Sequence, residues 1–394
     1  MPSLSNRKLW FVGIGGAGLS GYAVLAKAWG AEVAGWDRYE TPYLDYVRAA
    51  GISVAVSEDV QAAPAGFEAV VSTAFAGQAA GVSRAEFLAE LVSLQDAIVV
   101  SGAHGKTTTA GMIAFVLDRA GRDPSFLIGG EIPQLGGNAR AGSGWLVVEG
   151  DESDRTVERL RPKIAVVTNV DLDHHSEFAS RAEVEELFGR WLAEVPQVVR
   201  AYELDPVDFE LAVPGEHNRR NAAAALAALE LAGVEPDEAR RHLAEFAGAG
   251  RRLERRGETG GVTVLDDYAH HPAEIAASID AVQDGGRVLV LFQPHLYSRT
   301  RHLVRELASA LSKADVVAVT DIYRAREEPV EGVTGKLIVD ALTEVRPGAT
   351  VGWTPTVEQG AAFLAARARP GDVALTIGAG DVDRAVPLLL ERLS

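Results

Sequence analysis

The sequence predicts an α/β protein of three domains, each organised around a largely parallel sheet. Three observations lead there. Short apolar runs alternate with longer helical patterns, the rhythm of βαβ units. Two glycine-rich loops each follow an apolar strand and precede a helix. Residues 248–261, GAGRRLERRGETGG, hold five glycines and four arginines, a composition that fits neither a helix nor a central strand and reads as a linker or hinge.

Taken in order, strands are expected over residues 9–14 and 32–36, with a helix over 18–29 between them and Asp37 at the second strand's end. Further strands fall at 69–72, 98–101, 146–149 and 164–168, helices at 182–193 and 221–232, and strands again at 262–265 and 287–291. A break near 93–97 and the linker give domains over 1–95, 96–250 and 251–394. The length of 394 residues fits two or three domains at roughly 150 residues each. In open parallel sheets ligands bind beyond the carboxyl ends of the strands, so the strand exits are where chemistry is sought.

Composition narrows the function classes. The chain has 38 Lys and Arg against 55 Asp and Glu, a formal charge of −17. That balance argues against nucleic-acid binding and anionic membrane surfaces, both of which need clustered cations. No cysteine is present, which excludes disulfides and thiolate chemistry and fits a reducing, cytoplasmic setting. No run approaches the roughly 18 apolar residues of a membrane span, and the N-terminal apolar run is too short for a secretory signal.

The strand exits carry seven motifs. GIGGAG (Gly13, Gly15, Gly16 and Gly18 with two further residues) matches GxGxxG, whose glycines let backbone N–H groups approach a pyrophosphate; Asp37 is placed to meet a ribose hydroxyl. A close-packed βα turn without ligand is the bland alternative. SGAHGKTTT, residues 101–109, is a short phosphate loop: backbone groups cradle phosphate, Lys106 neutralises it and Thr107 ligates Mg²⁺. EGDESD (149–154) and TNVDLDHH (168–175) bring carboxylates and imidazoles to the next exits, suited to a hard oxygen-seeking cation. PGEHNRRNAAAA (214–225) opens a helix and reads either as capping or as a site. DDYAHHPAE (266–274) and FQPHLYSRT (292–300) crowd His, Arg, Asp and Tyr at two exits of the last domain.

Together, in this order, these motifs resemble the Mur ligases, and the last two resemble the alanine-adding branch of that family. The resemblance implies a Rossmann-like N-terminal domain holding a UDP-sugar, a central P-loop ATPase domain and a Rossmann-like C-terminal domain. It implies ATP and Mg²⁺ as cofactors, UDP-N-acetylmuramate and L-alanine as substrates, and a cytoplasmic enzyme of peptidoglycan synthesis, monomeric or homodimeric. By residue, Gly102, Ala103, His104, Gly105, Lys106, Thr107 and Thr108 would hold ATP phosphates, with Asn218 and Asn221 at the adenine. Thr107, Glu149 and His174 would bind metal; Asp267, Tyr268, His270 and Arg299 would face ATP or the amino acid; and Gly13, Gly15, Gly16, Gly18, Asp37 and Ser72 would hold the UDP-sugar. Lys106, Glu149, His174, His270 and Arg299 form the catalytic set, with His270 the candidate base.

The chain departs from the family pattern at three places. Leu296 stands where the motif has Arg, Ser176 replaces an acid, and the segment from Trp191 to Pro214 is short, with room for about two short strands. Rival readings are a ligase using another amino acid or peptide, a non-catalytic Mur-like protein, and an NAD-dependent oxidoreductase resting on GIGGAG and Asp37.

Overall fold

The computed structural model describes residues 2–394 apart from 153–154, 172–177, 179, 284–285 and 325–326. The described chain is a three-domain α/β protein with a mainly parallel sheet in each domain. The first sheet contains β1 (Lys8–Val12), β2 (Glu32–Asp37), β3 (Ser53–Val56), β4 (Glu68–Val71) and β5 (Val82–Ser83), in the order β3-β2-β1-β4-β5, all parallel. Between them run α1 (Ala17–Ala28), α2 (Pro42–Ala49) and α3 (Arg84–Ser93). β1 is buried along Leu9–Val12, as a central strand covered on both faces must be. Ser83 caps α3 through a reciprocal pair with Glu86.

The second sheet is built from β6 (Ala97–Ser101), β7 (Ser125–Ile132), β8 (Gly137–Arg140), β9 (Leu146–Glu149), β10 (Ile164–Val167) and β11 (Gln197–Arg200), in the order β11-β10-β6-β9-β7-β8. Only β8 runs antiparallel. The helices here are α4 (Lys106–Arg119), α5 (Arg181–Leu192), α6 (Glu216–Leu231) and α7 (Pro236–Ala244). Where the sequence left room for two strands before Pro214, the described chain forms one, β11, which extends the parallel edge beside β10, followed by a single 3₁₀ turn.

These two sheets share a compact unit, Met1–Ala212 with Asn218–Ala249. One apolar cluster runs through it, from Leu9, Phe11 and Leu25 through Phe87 and Leu91 to Val99, Val148 and Trp191. α1 lies so close to β7 and β8 that a Cβ on Gly21 would sit 3.1 Å from Ala139 and 3.2 Å from Leu127.

The second compact unit is Val213–His217 with Gly250–Ser394. Its sheet comprises β12 (Glu254–Thr259), β13 (Val262–Asp267), β14 (Val288–Phe292), β15 (Val316–Val319), β16 (Thr350–Trp353) and β17 (Val373–Ile377), ordered β12-β13-β17-β14-β15-β16. α8 (Pro272–Asp280) and α9 (Tyr297–His302) follow β13 and β14. Here the linker reading of 248–261 needs correction. Residues 254–259 form an edge strand, antiparallel to β13 with a bulge between Arg255 and Gly257, and Gly260 and Gly261 make the turn at φ +57° and +73°. An edge strand tolerates charge and glycine because one side faces water, so its composition imitates a linker. Arg251 is also fixed: its guanidinium reaches Asp266 at 2.8 Å and the carbonyls of Gly378 and Gly380 at 2.7 and 2.8 Å.

Candidate active site

The phosphate loop leaves β6 and enters α4 through two left-handed glycines, Gly102 at φ +123° and Gly105 at φ +80°. Both are pinned by neighbours. A Cβ on Gly102 would lie 2.3 Å from Thr168 Oγ1, and one on Gly105 would lie 2.4 Å from Asn221 Oδ1. Asn221 and Asn218 are buried near the start of α6, where Asn221 Nδ2 donates to Asn218 Oδ1 at 3.4 Å, so Asn221 stands against the loop with Asn218 bonded to it.

The two residues that open α4 meet different acids. Thr107 Oγ1 donates to Glu149 Oε2 at 3.2 Å, while the Gly129 N–H donates to Glu149 Oε1 at 2.6 Å. Lys106 Nζ pairs with Glu152 at 3.1 Å and donates to the Gly102 carbonyl at 2.5 Å. Burial alone would lower the lysine's pKa, but the carboxylates of Glu152, Asp151 and Glu149 outweigh it and hold the ammonium above its ordinary range. Glu152, only 2% exposed, is pushed upward by burial against the pull of Lys106. The structure sets the threonine against Glu149, the acid the resemblance pairs with it, and gives the lysine to Glu152, a partner the sequence did not assign.

A cation fit follows from the donor chemistry. Thr107 and Glu149 present only hard oxygens side by side at a phosphate loop, and Mg²⁺ is usually held by one or two carboxylates plus substrate phosphates. His174, the third predicted ligand, lies outside the described residues.

In the first sheet, Asp37 holds one of the predicted glycines, Gly15. Gly15 N–H donates to Asp37 Oδ2 and Arg38 N–H to Oδ1, both at 2.7 Å, while Thr41 Oγ1 donates to the Gly15 carbonyl. Asp37 therefore braces the loop in addition to any contact with a ribose. Gly13 takes φ +87°, and Ser72 Oγ would be 2.5 Å from a Cβ there. Gly16 precedes α1 and Gly18 lies within it. A cavity of about 160 Å³ joins this helix to the phosphate loop, lined by Gly18 and Gly21 on one side and Lys106, Glu149 and Asp151 on the other. Tyr22, Arg84 and Asn138, which the sequence did not single out, also line it.

In the second compact unit, Asp267 ends β13 and accepts N–H groups from Leu253 at 2.8 Å and Ala269 at 2.7 Å. Burial raises its pKa to about 6, opposed by Arg252. Tyr268 carries Arg251 and Arg252 over its ring at 5.3 and 5.4 Å. His270 Nδ1 lies 3.1 Å from the Tyr268 carbonyl, which can only accept, so Nδ1 is the donor and the neutral ring would carry its lone pair on Nε2. Burial, with Arg299 and Arg252, lowers the His270 pKa against Glu274, which raises it. Arg299 Nη1 donates to His295 Nδ1 at 3.2 Å, and the His270 and His295 rings lie 5.8 Å apart. Leu296, the departure from the motif, opens α9 at φ +71°, a strained conformation fixed by its N–H to the Tyr323 carbonyl at 3.0 Å.

Comparison with known proteins agrees with this geometry. Residues 8–95, 100–200 and 251–380 match, in turn, the Mur ligase family catalytic domain, the Mur ligase middle domain and the Mur ligase glutamate ligase domain. The chain is 39% identical to the UDP-N-acetylmuramate–L-alanine ligase of Renibacterium salmoninarum, over 98% of this chain and 96% of that protein. It is 40% identical to the enzyme of the same name from Kineococcus radiotolerans, at the same coverage.

The chain belongs to the Mur ligase family.

Among solved structures, the UDP-N-acetylmuramate-alanine ligase MurC of Thermotoga maritima superposes with a TM-score of 0.81, at 26% identity and 98% coverage of both chains. As a Mur ligase, this protein is an ATP-dependent, amide-forming enzyme. An oxidoreductase reading of GIGGAG accordingly falls away. The alignments to the bacterial relatives run over 446 to 463 positions, more than the 394 residues present here, so those Mur ligases carry segments that this one lacks.

Proposed function

We propose that this Mur ligase joins L-alanine to UDP-N-acetylmuramate at the expense of ATP, in the cytoplasm, as a step of peptidoglycan synthesis. The cavity shared by the α1 glycines and the phosphate loop carries the reading. It gives the acyl end of a nucleotide sugar held by the first sheet a route to a phosphoryl group held at Lys106. Names borne by relatives at 35–40% identity support the choice of substrates.

The lactyl carboxylate attacks the γ-phosphorus of ATP; the bond to the bridging oxygen breaks, leaving ADP and an acyl phosphate. The amine of L-alanine then attacks the acyl carbon, and inorganic phosphate departs as the amide forms. Lys106 neutralises charge on the transferred group, and the loop N–H groups hold it in line. Thr107 and Glu149 are the residues that would hold Mg²⁺, which supplies further charge neutralisation when bound. The attacking amine must shed a proton, and His270, neutral with its Nε2 lone pair available, is the group proposed to take it. Arg299 is the proposed cation for the amino-acid or phosphate side. A substrate labelled with heavy oxygen in its carboxylate tests the route: one labelled atom should appear in the released phosphate. Unlabelled phosphate would exclude the acyl phosphate.

A further inference from the structure

His104 lies within the phosphate loop, yet its main chain is taken up by the end of β10. The His104 N–H donates to Asn169 Oδ1 at 3.0 Å, and its carbonyl accepts from Asn169 Nδ2 at 2.9 Å and from Thr168 Oγ1 at 2.6 Å. One carboxamide thus satisfies both polar groups of one loop residue, a fit that needs an acceptor and a donor on the same planar group. The neighbouring Gly102 abuts the same two residues, with Thr168 Oγ1 at 2.3 Å and the Asn169 carbonyl at 2.8 Å from where its Cβ would be.

We propose that Asn169 is a positioning residue that locks the 102–105 loop in its phosphate-receiving shape before nucleotide arrives. Two glycines at φ +123° and +80° would otherwise let this loop sample many conformations, and ordering it would be charged against nucleotide binding. With the His104 N–H engaged by Asn169, the N–H groups at the start of α4, which have no partner within the helix, stay available for phosphate. The inference rests on the nucleotide reading of the loop, and the test separates the two.

ADP binding is measured by calorimetry for the wild type, N169A and N169D, alongside UDP-N-acetylmuramate binding and kcat. N169D keeps the acceptor for the His104 N–H but sets a carboxylate oxygen against the His104 carbonyl. Both variants should weaken ADP by about tenfold, the scale of one or two lost hydrogen bonds, with UDP-N-acetylmuramate affinity unchanged. N169D should recover affinity as pH falls and its carboxyl regains a donor, a response that N169A cannot show. ADP affinity and kcat within twofold of wild type in both variants would overturn the clamp, as would equal losses for both ligands. A wild type that binds no ADP would remove the nucleotide reading itself.

Discussion

Lys106 and Thr107 are neighbours in sequence but face different carboxylates, and this division makes their substitutions distinguishable. Lys106→Ala should lower turnover by about a hundred- to a thousandfold, the usual loss for a donor aimed at developing charge. Near-normal steady-state turnover would remove Lys106 from the reaction. Glu149→Gln should raise the Mg²⁺ concentration needed for half-maximal rate more than Glu152→Gln does, because Glu149 sits against Thr107 and Glu152 against Lys106. A metal titration with the opposite order would transfer the ligand role to Glu152. Asp267 offers a pH signature. Its carboxyl, buried to 4% exposure, is raised from the ordinary 3.8 to about 6, so between these pH values the folded protein holds a proton there that the unfolded chain has lost. The stability this site contributes is complete below pH 3.8 and is lost as pH rises through about 6. Carboxyl NMR should show a midpoint near 6; a midpoint near 3.8 would mean that Asp267 is solvated.

Among the elements, the phosphate loop was legible because its glycines, lysine and flanking strand and helix all follow from one chemistry. Of its supports, Asn221 was singled out, but for the adenine rather than for the loop; Asn169, 64 residues beyond Gly105, was not, since the end of β10 brings it to His104 only in the fold. β12 was hidden for a different reason: two exposed arginines and a glycine on an edge strand look like those of a linker. The loop reading predicts that Gly105→Ala lowers ADP affinity by at least about tenfold, since a Cβ at φ +80° is strained and meets Asn221 at 2.4 Å. Calorimetry showing wild-type affinity would contradict that geometry. The residue just ahead of β12 makes its own prediction. Arg251→Ala leaves fully buried Asp266 without its guanidinium partner, which should cost about 3–5 kcal/mol of unfolding free energy. Chemical denaturation with an unchanged midpoint would show that Thr376, which donates to Asp266 at 2.5 Å, suffices alone.

For the whole molecule, the alternation of strands and helices foretold the α/β class, and the motif order foretold the family. Chain length carries the remaining lesson. Against longer relatives, this Mur ligase retains the phosphate loop, the Glu149 exit and the start of α6, while the edge beside β10 is closed by a single four-residue strand. Site groups in the first compact unit hang on central strands and helix starts, which an edge attachment does not position. The retained site should therefore be active despite the shorter chain. Phosphate release in the presence of UDP-N-acetylmuramate, L-alanine and ATP tests this most directly, with each omitted in turn and other amino acids substituted for alanine. The account predicts release that needs all three and a product heavier than the sugar nucleotide by one alanyl residue. No turnover, or ATP hydrolysis indifferent to UDP-N-acetylmuramate, would contradict it.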